Sequence, residues 1–472
     1  MNKFQYRPEI DGLRSIAVFS VIFYHAKISF LNGDFFPGGY FGVDIFFVIS
    51  GYLITSLILS ETQNGKFSFL RFYERRIRRI LPALFFIMLF TVPFAWNYLL
   101  PNQFKEYAYS LITSIFFSSN IYFWFIGEQY ASESALLKPF LHTWSLAVEE
   151  QYYIFFPIFL ILLIKYFNKH LLLIFAVIFA LSLLLADILS KSNSSLNFYI
   201  LPTRGWELLA GSIIAKISID NSFKKKFLFI KLMPSLGLIL ILSSFFFFNE
   251  KILHPSKITL IPVLGTVLII LFCKKGEFVT NMLSNKIFVG FGLISYSLYL
   301  WHYPIFAFGR IDGFVQISFL NKFILIIITI VLSIITYFLI ERPFRNRKNV
   351  SVKVLFIFLA FTMSSLLISS TIILANNGFV ERTPKILKDQ YTNDLQKFAK
   401  QNDKDCFDRL DEFCVFNKNS NRSIILVGDS SIAVLNKPLL DFSKKNKIKL
   451  TLLTNGGCPY YPKFNRINAK TN

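Results

Sequence analysis

The chain has 472 residues, of which 54% are hydrophobic, 18% aromatic and only 17% charged, where soluble domains carry roughly 25% charged residues. Its 50 Lys and Arg against 28 Asp and Glu give a net charge of +22. That much apolar content excludes a disordered chain, and a mean hydropathy of +0.51 with 57 Phe excludes a soluble nucleic-acid binder, leaving a polytopic membrane protein with basic loops.

A membrane-spanning helix needs about 20 mainly apolar residues. Eleven stretches are predicted as spans: 10–31, 39–60, 80–100, 141–164, 170–189, 203–217, 228–248, 257–273, 287–309, 320–340 and 353–374. The first reads as a retained helix and not a signal peptide, because Asp11 and Arg14 interrupt its start and no small-residue cleavage site follows. A twelfth stretch, 104–126, is weaker and carries Ser118, Ser119 and Asn120 together. With the N-terminus inside and 104–126 not crossing, the inner segments hold 22 Lys and Arg and the outer ones six. Making 104–126 a span inverts every later loop and destroys this bias. The positive-inside rule therefore predicts eleven spans, a cytoplasmic N-terminus, an outer C-terminus, and a re-entrant or interfacial 104–126.

After residue 375 the composition changes. Residues 375–472 hold 17 Lys and Arg and 10 Asp and Glu. Ser423 to Val427 and Lys449 to Leu453 are strand-like runs, and the stretch between them, 432–445, suits a helix broken early by Pro438. This is the opening of a βαβ unit. Three of the four Cys lie here. An outer location predicts a Cys406–Cys414 bridge with Cys458 left over, while Cys273 reads as a small apolar residue in a span.

Six motifs are candidates for chemistry. Arg14 and His25 are three turns apart on the first helix, so both project from one face; an intramembrane His suits proton abstraction or a structural hydrogen bond. Arg71, Arg75, Arg76, Arg78 and Arg79 form an inner cluster that suits phosphate or anionic lipid. His142, Ser145 or Leu146, and Glu149 share a helical face. Arg204 and Glu207 are an i,i+3 pair. Ser295 to His302, with Tyr299, presents hydroxyls, rings and a His along one helix, as a sugar-facing wall or an interfacial aromatic belt. Gly428-Asp429-Ser430 places a Ser on a turn after a strand, but no His follows position 302, so the tail alone cannot complete a Ser-His-Asp triad.

Over residues 5–350 these blocks resemble the acyltransferase-3 family of integral-membrane O-acyltransferases, of the O-antigen acetylase type. The resemblance rests on Tyr6 to Arg14, the Arg14/His25 pair, Gly42 to Ile54, Arg75 to Arg79, His142 to Gln151, Arg204 to Gly211, Ser295 to His302 and Glu341-Arg342-Pro343. The tail resembles the start of the SGNH domain fused to members that acylate surface polysaccharides, without that domain's later Gly, Asn and Asp/His blocks.

The resemblance implies a mainly α bundle of about eleven transmembrane helices (5–350, with an additional helix at 351–375) and an incomplete α/β SGNH-like extracytoplasmic domain at 376–472. It implies transfer of an acyl group, usually acetyl, from cytoplasmic acyl-CoA to a hydroxyl of a cell-surface glycan such as lipopolysaccharide O-antigen. His25, Arg14, Glu149 and Ser430 are then catalytic. Arg75, Arg76, Arg78 and Arg79 hold the CoA phosphates. His142, Ser145, Arg204, Glu207, Tyr299 and His302 contact substrate. Acetyl-CoA is a substrate, and no bound cofactor, metal or nucleic acid is expected. The implied location is the bacterial inner membrane. The alternative from residues alone is a transporter or flippase for a lipid-linked glycan.

Overall fold

The computed structural model describes residues 6–30, 33–128, 134–220, 231–383, 399–401, 404–406, 413–428 and 435–454. The chain divides into two units, Met1–Gly378 and Phe379–Asn472.

The first unit is helical. Its helices are α1 (Pro8–Ala26), α2 (Gly42–Gln63), α3 (Phe69–Tyr98), α4 (Pro101–Ile115), α5 (Ser119–Gly127), α6 (Thr143–Phe167), α7 (Leu171–Ser192), α8 (Ser194–Tyr199) and α9 (Leu201–Ile219). They continue as α10 (Met233–Phe247), α11 (Leu260–Phe272), α12 (Phe278–Leu283), α13 (Lys286–Leu293), α14 (Ser295–Ile311), α15 (Phe314–Ile317), α16 (Phe319–Thr336), α17 (Arg342–Arg345) and α18 (Val352–Ala375). Among the described residues five helical stretches are long and apolar enough to cross a membrane: Gly39–Gln63, Phe69–Tyr98, Thr143–Ser192, Phe319–Arg345 and Val352–Ala375. Thr143–Ser192 covers two predicted spans, because a 3-10 turn at Asn168–His170 separates α6 from α7. Met233–Phe247 and Lys257–Phe272 are shorter apolar helices.

Several predicted bounds shift for local reasons. The first span stops at Ala26, where Lys27 turns left-handed at φ 47°. Stretch 104–126 splits into α4 and α5, with Phe117 at φ 51° between them; neither piece reaches the roughly 20 residues a crossing needs. Stretch 287–309 breaks at Ile294 into α13 and α14.

Small residues let the central helices approach closely. A Cβ on Gly51 of α2 would lie 1.8 Å from the Leu208 carbonyl oxygen of α9, and one on Gly211 of α9 would lie 2.1 Å from that of Val48 on α2. Around this contact Leu13, Ala17, Ile45, Val48, Trp206 and Ala210 form one apolar core. Outward-facing Phe155, Leu173, Phe247, Leu320 and Phe361 are exposed, as lipid-facing side chains are.

The second unit contains a three-stranded sheet: β1 (Cys414–Phe416), β2 (Ser423–Gly428) and β3 (Lys449–Thr454), with α19 (Asn436–Asn446) between β2 and β3. Its order is β1-β3-β2. β2 and β3 are parallel, with Ser423 opposite Lys449, whereas β1 is antiparallel to β3, with Cys414 opposite Leu452. The predicted βαβ unit is present. Its helix begins at Asn436, and Pro438 sits in the first turn, where a missing N–H leaves no ladder bond unmade; Pro438 does not break the described helix, and 432–434 of the predicted stretch lie outside the described residues. Cys406 and Cys414 form the expected disulfide and pack with Leu440, Leu450 and Leu452. Ser430 and Cys458 lie outside the described residues.

Candidate active site

Arg14 and His25 stand on one helix, and a rise of 1.5 Å per residue separates them by roughly 16 Å along α1. Each opens into its own cavity.

The arginine cavity, partly open to solvent, spans about 800 Å³ and is lined by Arg14, Arg76, Arg79, Ser50, Glu149 and Tyr153, with Phe46, Ile80 and Tyr296 among its walls. Arg14 is paired with Asp11 at 2.8 Å, and Asp11 also accepts from the Tyr6 hydroxyl at 2.7 Å. Burial, with that bond to Asp11 next, pushes the Tyr6 phenol up to about 12. Arg76 lies 5.2 Å over the Tyr153 ring. Among the described residues neither Arg76 nor Arg79 has an ion-pair partner. Ser50 and Tyr153 both donate to Oε1 of Glu149, which orients that carboxylate on the wall. Two guanidiniums without a direct ion-pair partner among the described residues have the chemistry to hold an anion.

The other two arginines of the run point elsewhere. Arg75 pairs with Glu61 at 3.0 Å and is half-exposed. Arg78 is buried and donates to Glu74 and to the carbonyls of Phe344 and Val350. The i,i+3 and i,i+4 geometry of α3 turns Arg76 and Arg79 to one face and Arg75 and Arg78 to another.

The histidine cavity is larger, about 1460 Å³, and is lined by His25, His142, Tyr24, Tyr303, Trp144, Tyr199, Arg204, His254 and Glu250. His25 Nδ1 lies 3.2 Å from His302 Nε2, and His302 Nδ1 lies 2.6 Å from the Tyr299 carbonyl oxygen. Arg310 donates to the His25 carbonyl oxygen. His142 is buried, and neither ring nitrogen has a partner among the described residues. His302 is fully buried behind His25 and off the cavity wall.

Arg204 reaches the same cavity from α9. Its Nη1 donates to Asp44 at 3.0 Å, to Glu207 at 3.1 Å and to His254 Nε2 at 3.0 Å. All three of Arg204, Asp44 and Glu207 are buried, so Glu207 belongs to a buried ion cluster and not to the cavity surface. Burial, and then the Arg204 charge, hold the His254 imidazole well below the usual histidine range. On the cavity wall Glu250 accepts from Lys27 and, at 2.9 Å, from Tyr24.

Val43 and Tyr299 line both cavities. The Tyr299 hydroxyl donates to the His142 carbonyl oxygen at 3.1 Å and meets the Ser145 hydroxyl at 2.5 Å. Tyr299 and Ser145 therefore belong to a septum.

Sequence reasoning did not single out Ser50, Tyr153, Tyr303, Arg310, Asp44 or His254. Tyr153 was accessible to it, since it follows Glu149 at i+4. Asp44 and Ser50 come from α2, Tyr303 and Arg310 from α14 and His254 from the segment before α11, and their partners lie far away in sequence.

A helical membrane protein with a basic cavity and a histidine cavity on one buried helix belongs to the class of integral-membrane proteins built around a polar interior. The chain is a member of the acyltransferase-3 family, whose model, described as an acyltransferase domain, matches residues 7–342. It is similar to "Putative O-acetyltransferase SAS0844" of Staphylococcus aureus (strain MSSA476), 35% identical over 361 residues that cover 73% of this chain and 58% of that protein. "Putative peptidoglycan O-acetyltransferase YrhL" of Bacillus subtilis (strain 168) is 34% identical, covering 73% and 55%. "O-acetyltransferase OatA" of Staphylococcus aureus (strain NCTC 8325 / PS 47) is 33% identical, covering 73% and 58%. The chain thus spans somewhat over half the length of these relatives. No solved structure matches it.

Proposed function

We propose that the protein transfers an acetyl group from acyl-CoA on the cytoplasmic side of the membrane to a hydroxyl of a cell-surface glycan on the outer side. The observation that carries this reading is the placement of two cavities along α1, basic at Arg14 and histidine-lined at His25. Phosphates dock at Arg76 and Arg79, and the thioester extends past Tyr299 toward His25. There His25 accepts the proton of the attacking hydroxyl as the new O–C bond forms and the C–S bond breaks. That proton then goes to the CoA sulfur, giving an ester and a free thiol.

The loop charges favour eleven crossings with the N-terminus inside and the second unit outside, and that topology gives the reading its direction. The Cys406–Cys414 bridge fits an oxidising compartment for the tail. O-antigen was the acceptor expected from the sequence; the name of the Bacillus relative favours peptidoglycan, so peptidoglycan is the acceptor to test first. Resemblance of the tail to an SGNH domain makes Ser430 the acyl carrier or nucleophile of a later step.

The test is His25→Ala in purified, membrane-inserted protein supplied with acetyl-CoA and glycan. Loss of CoA thiol release and of glycan ester is expected. Ester formation at the normal rate overturns the reading, and glycan movement without thiol release identifies a transporter.

A further inference from the structure

His302 lies on the helix read from the sequence as a sugar-facing wall, yet it has no exposed surface and does not line the cavity. Its two ring nitrogens are both engaged, and their partners fix which one carries hydrogen. The Tyr299 carbonyl oxygen, 2.6 Å from His302 Nδ1, can only accept. Nδ1 therefore carries the hydrogen. No carboxylate pairs with either His25 or His302 among the described residues, and a buried, unpaired imidazolium is costly, so the His302 ring is neutral and its Nε2 is an acceptor. The atom facing Nε2 at 3.2 Å is His25 Nδ1, which must then be the donor. A neutral His25 that donates from Nδ1 has its lone pair on Nε2. Among the described residues nothing bonds Nε2, and the His25 ring lines the cavity.

We infer that His302 is a positioning residue that holds His25 in the Nδ1–H tautomer, so that Nε2 is the atom that takes the proton from the acceptor hydroxyl. This rests on the reading of His25 as general base. The Tyr299 carbonyl, His302 and His25 form a directed chain in which each member orients the next, as in other sites where a base is set by the hydrogen bond on its second nitrogen. When the hydroxyl proton reaches Nε2, the Nδ1 hydrogen stays in place on its bond to His302; the same Nε2 proton later leaves for the CoA sulfur. Tyr299 thus contributes through its carbonyl at one end of this chain and through its hydroxyl at the septum.

The experiment compares His302→Phe, His302→Gln and His25→Ala in the purified full chain, with acetyl-CoA and peptidoglycan fragments. Phe keeps the ring volume but removes the acceptor, whereas the Gln amide oxygen restores one near the Nε2 position. The expected result for His302→Phe is a fall in kcat of about 10²-fold, with KM for both substrates changed less than about twofold. His302→Gln is expected to recover at least tenfold of it. A raised KM for the glycan with kcat unchanged makes His302 a substrate contact and overturns the proposal, as does an equal fall in both variants. Full activity of His25→Ala defeats the underlying base assignment, whatever His302 does. A second measurement does not depend on the variants folding. In wild-type protein labelled with ¹⁵N-histidine, His25 is expected to show a protonated Nδ1 and an unprotonated Nε2; a protonated Nε2 overturns the proposal.

Discussion

The hydroxyls of Tyr299 and Ser145 meet at 2.5 Å on the wall between the arginine cavity and the histidine cavity. Tyr299 reaches this point from α14 and Ser145 from α6, so the septum is a contact between two helices and responds to side-chain size.

Tyr299→Phe removes the hydroxyl and its two bonds but keeps the ring. It is expected to lower stability by about 1 kcal/mol and leave CoA binding intact. Tyr299→Trp enlarges the septum and is expected to cut acetyl transfer at least tenfold, with CoA binding again retained. Parallel titration calorimetry and turnover measurements check this, and equal loss of binding and turnover would place Tyr299 in the phosphate site instead.

The arginine run divides into two pairs. Arg76→Gln and Arg79→Gln each remove a charge-assisted contact worth about 1.5–3 kcal/mol, so KM for acetyl-CoA is expected to rise about 10- to 100-fold. Arg75→Gln removes only an exposed ion pair and is expected to change stability by less than about 1 kcal/mol and KM not at all. Arg78→Gln strips the bonds to the Phe344 and Val350 carbonyls, and its effect is expected in the unfolding temperature. Steady-state kinetics beside thermal unfolding in detergent separate the four.

Arg204 is the cation for two buried carboxylates, Asp44 and Glu207. Arg204→Met leaves both without it and is expected to destabilise the bundle by about 3–5 kcal/mol. Chemical unfolding in detergent measures this, and a change below about 1 kcal/mol would show that the cluster does not clamp α2 to α9.

Glu250 has a pH signature outside the membrane spans. Its bond from Lys27, against the opposing effect of partial burial, holds the carboxyl below the usual range. A carboxyl with a lowered folded value contributes stability that is present above the unfolded value, about 4.3, and is lost as pH falls through the folded one. Glu250→Gln is therefore expected to flatten the stability profile below about pH 4.3 and to lower stability at pH 7. Unfolding temperatures from pH 3 to 7 check the slope; an unchanged profile means that Lys27 and Glu250 are not coupled in solution.

Much of the bundle was legible because a bilayer demands about 20 apolar residues per crossing, a signal that survives without any knowledge of neighbours. The breaks were harder to see. Lys27 and Phe117 adopt left-handed backbone at positions with no Gly to announce it, and Pro438 is accommodated in the first turn of a helix that the sequence suggests it would break. For the site, His25, Arg14, Glu149, His142 and Tyr299 could be named as ionisable or polar groups within apolar runs, which are expensive there and so informative. Their roles could not be separated, because a linear motif such as Arg75 to Arg79 does not say which side chains share a face with a cavity.

By itself the sequence determined a polytopic membrane protein of the acyltransferase-3 type, through apolar run lengths and a succession of polar blocks, both of which are local properties of the chain. Only the tertiary structure decided that Arg76 and Arg79 face a cavity while Arg78 binds backbone, that Arg204 joins Asp44 and Glu207, and that His302 stands behind His25. Those relationships join residues as many as 277 positions apart, and hydrogen bonds acting over about 3 Å exist only once helix packing has set the distances.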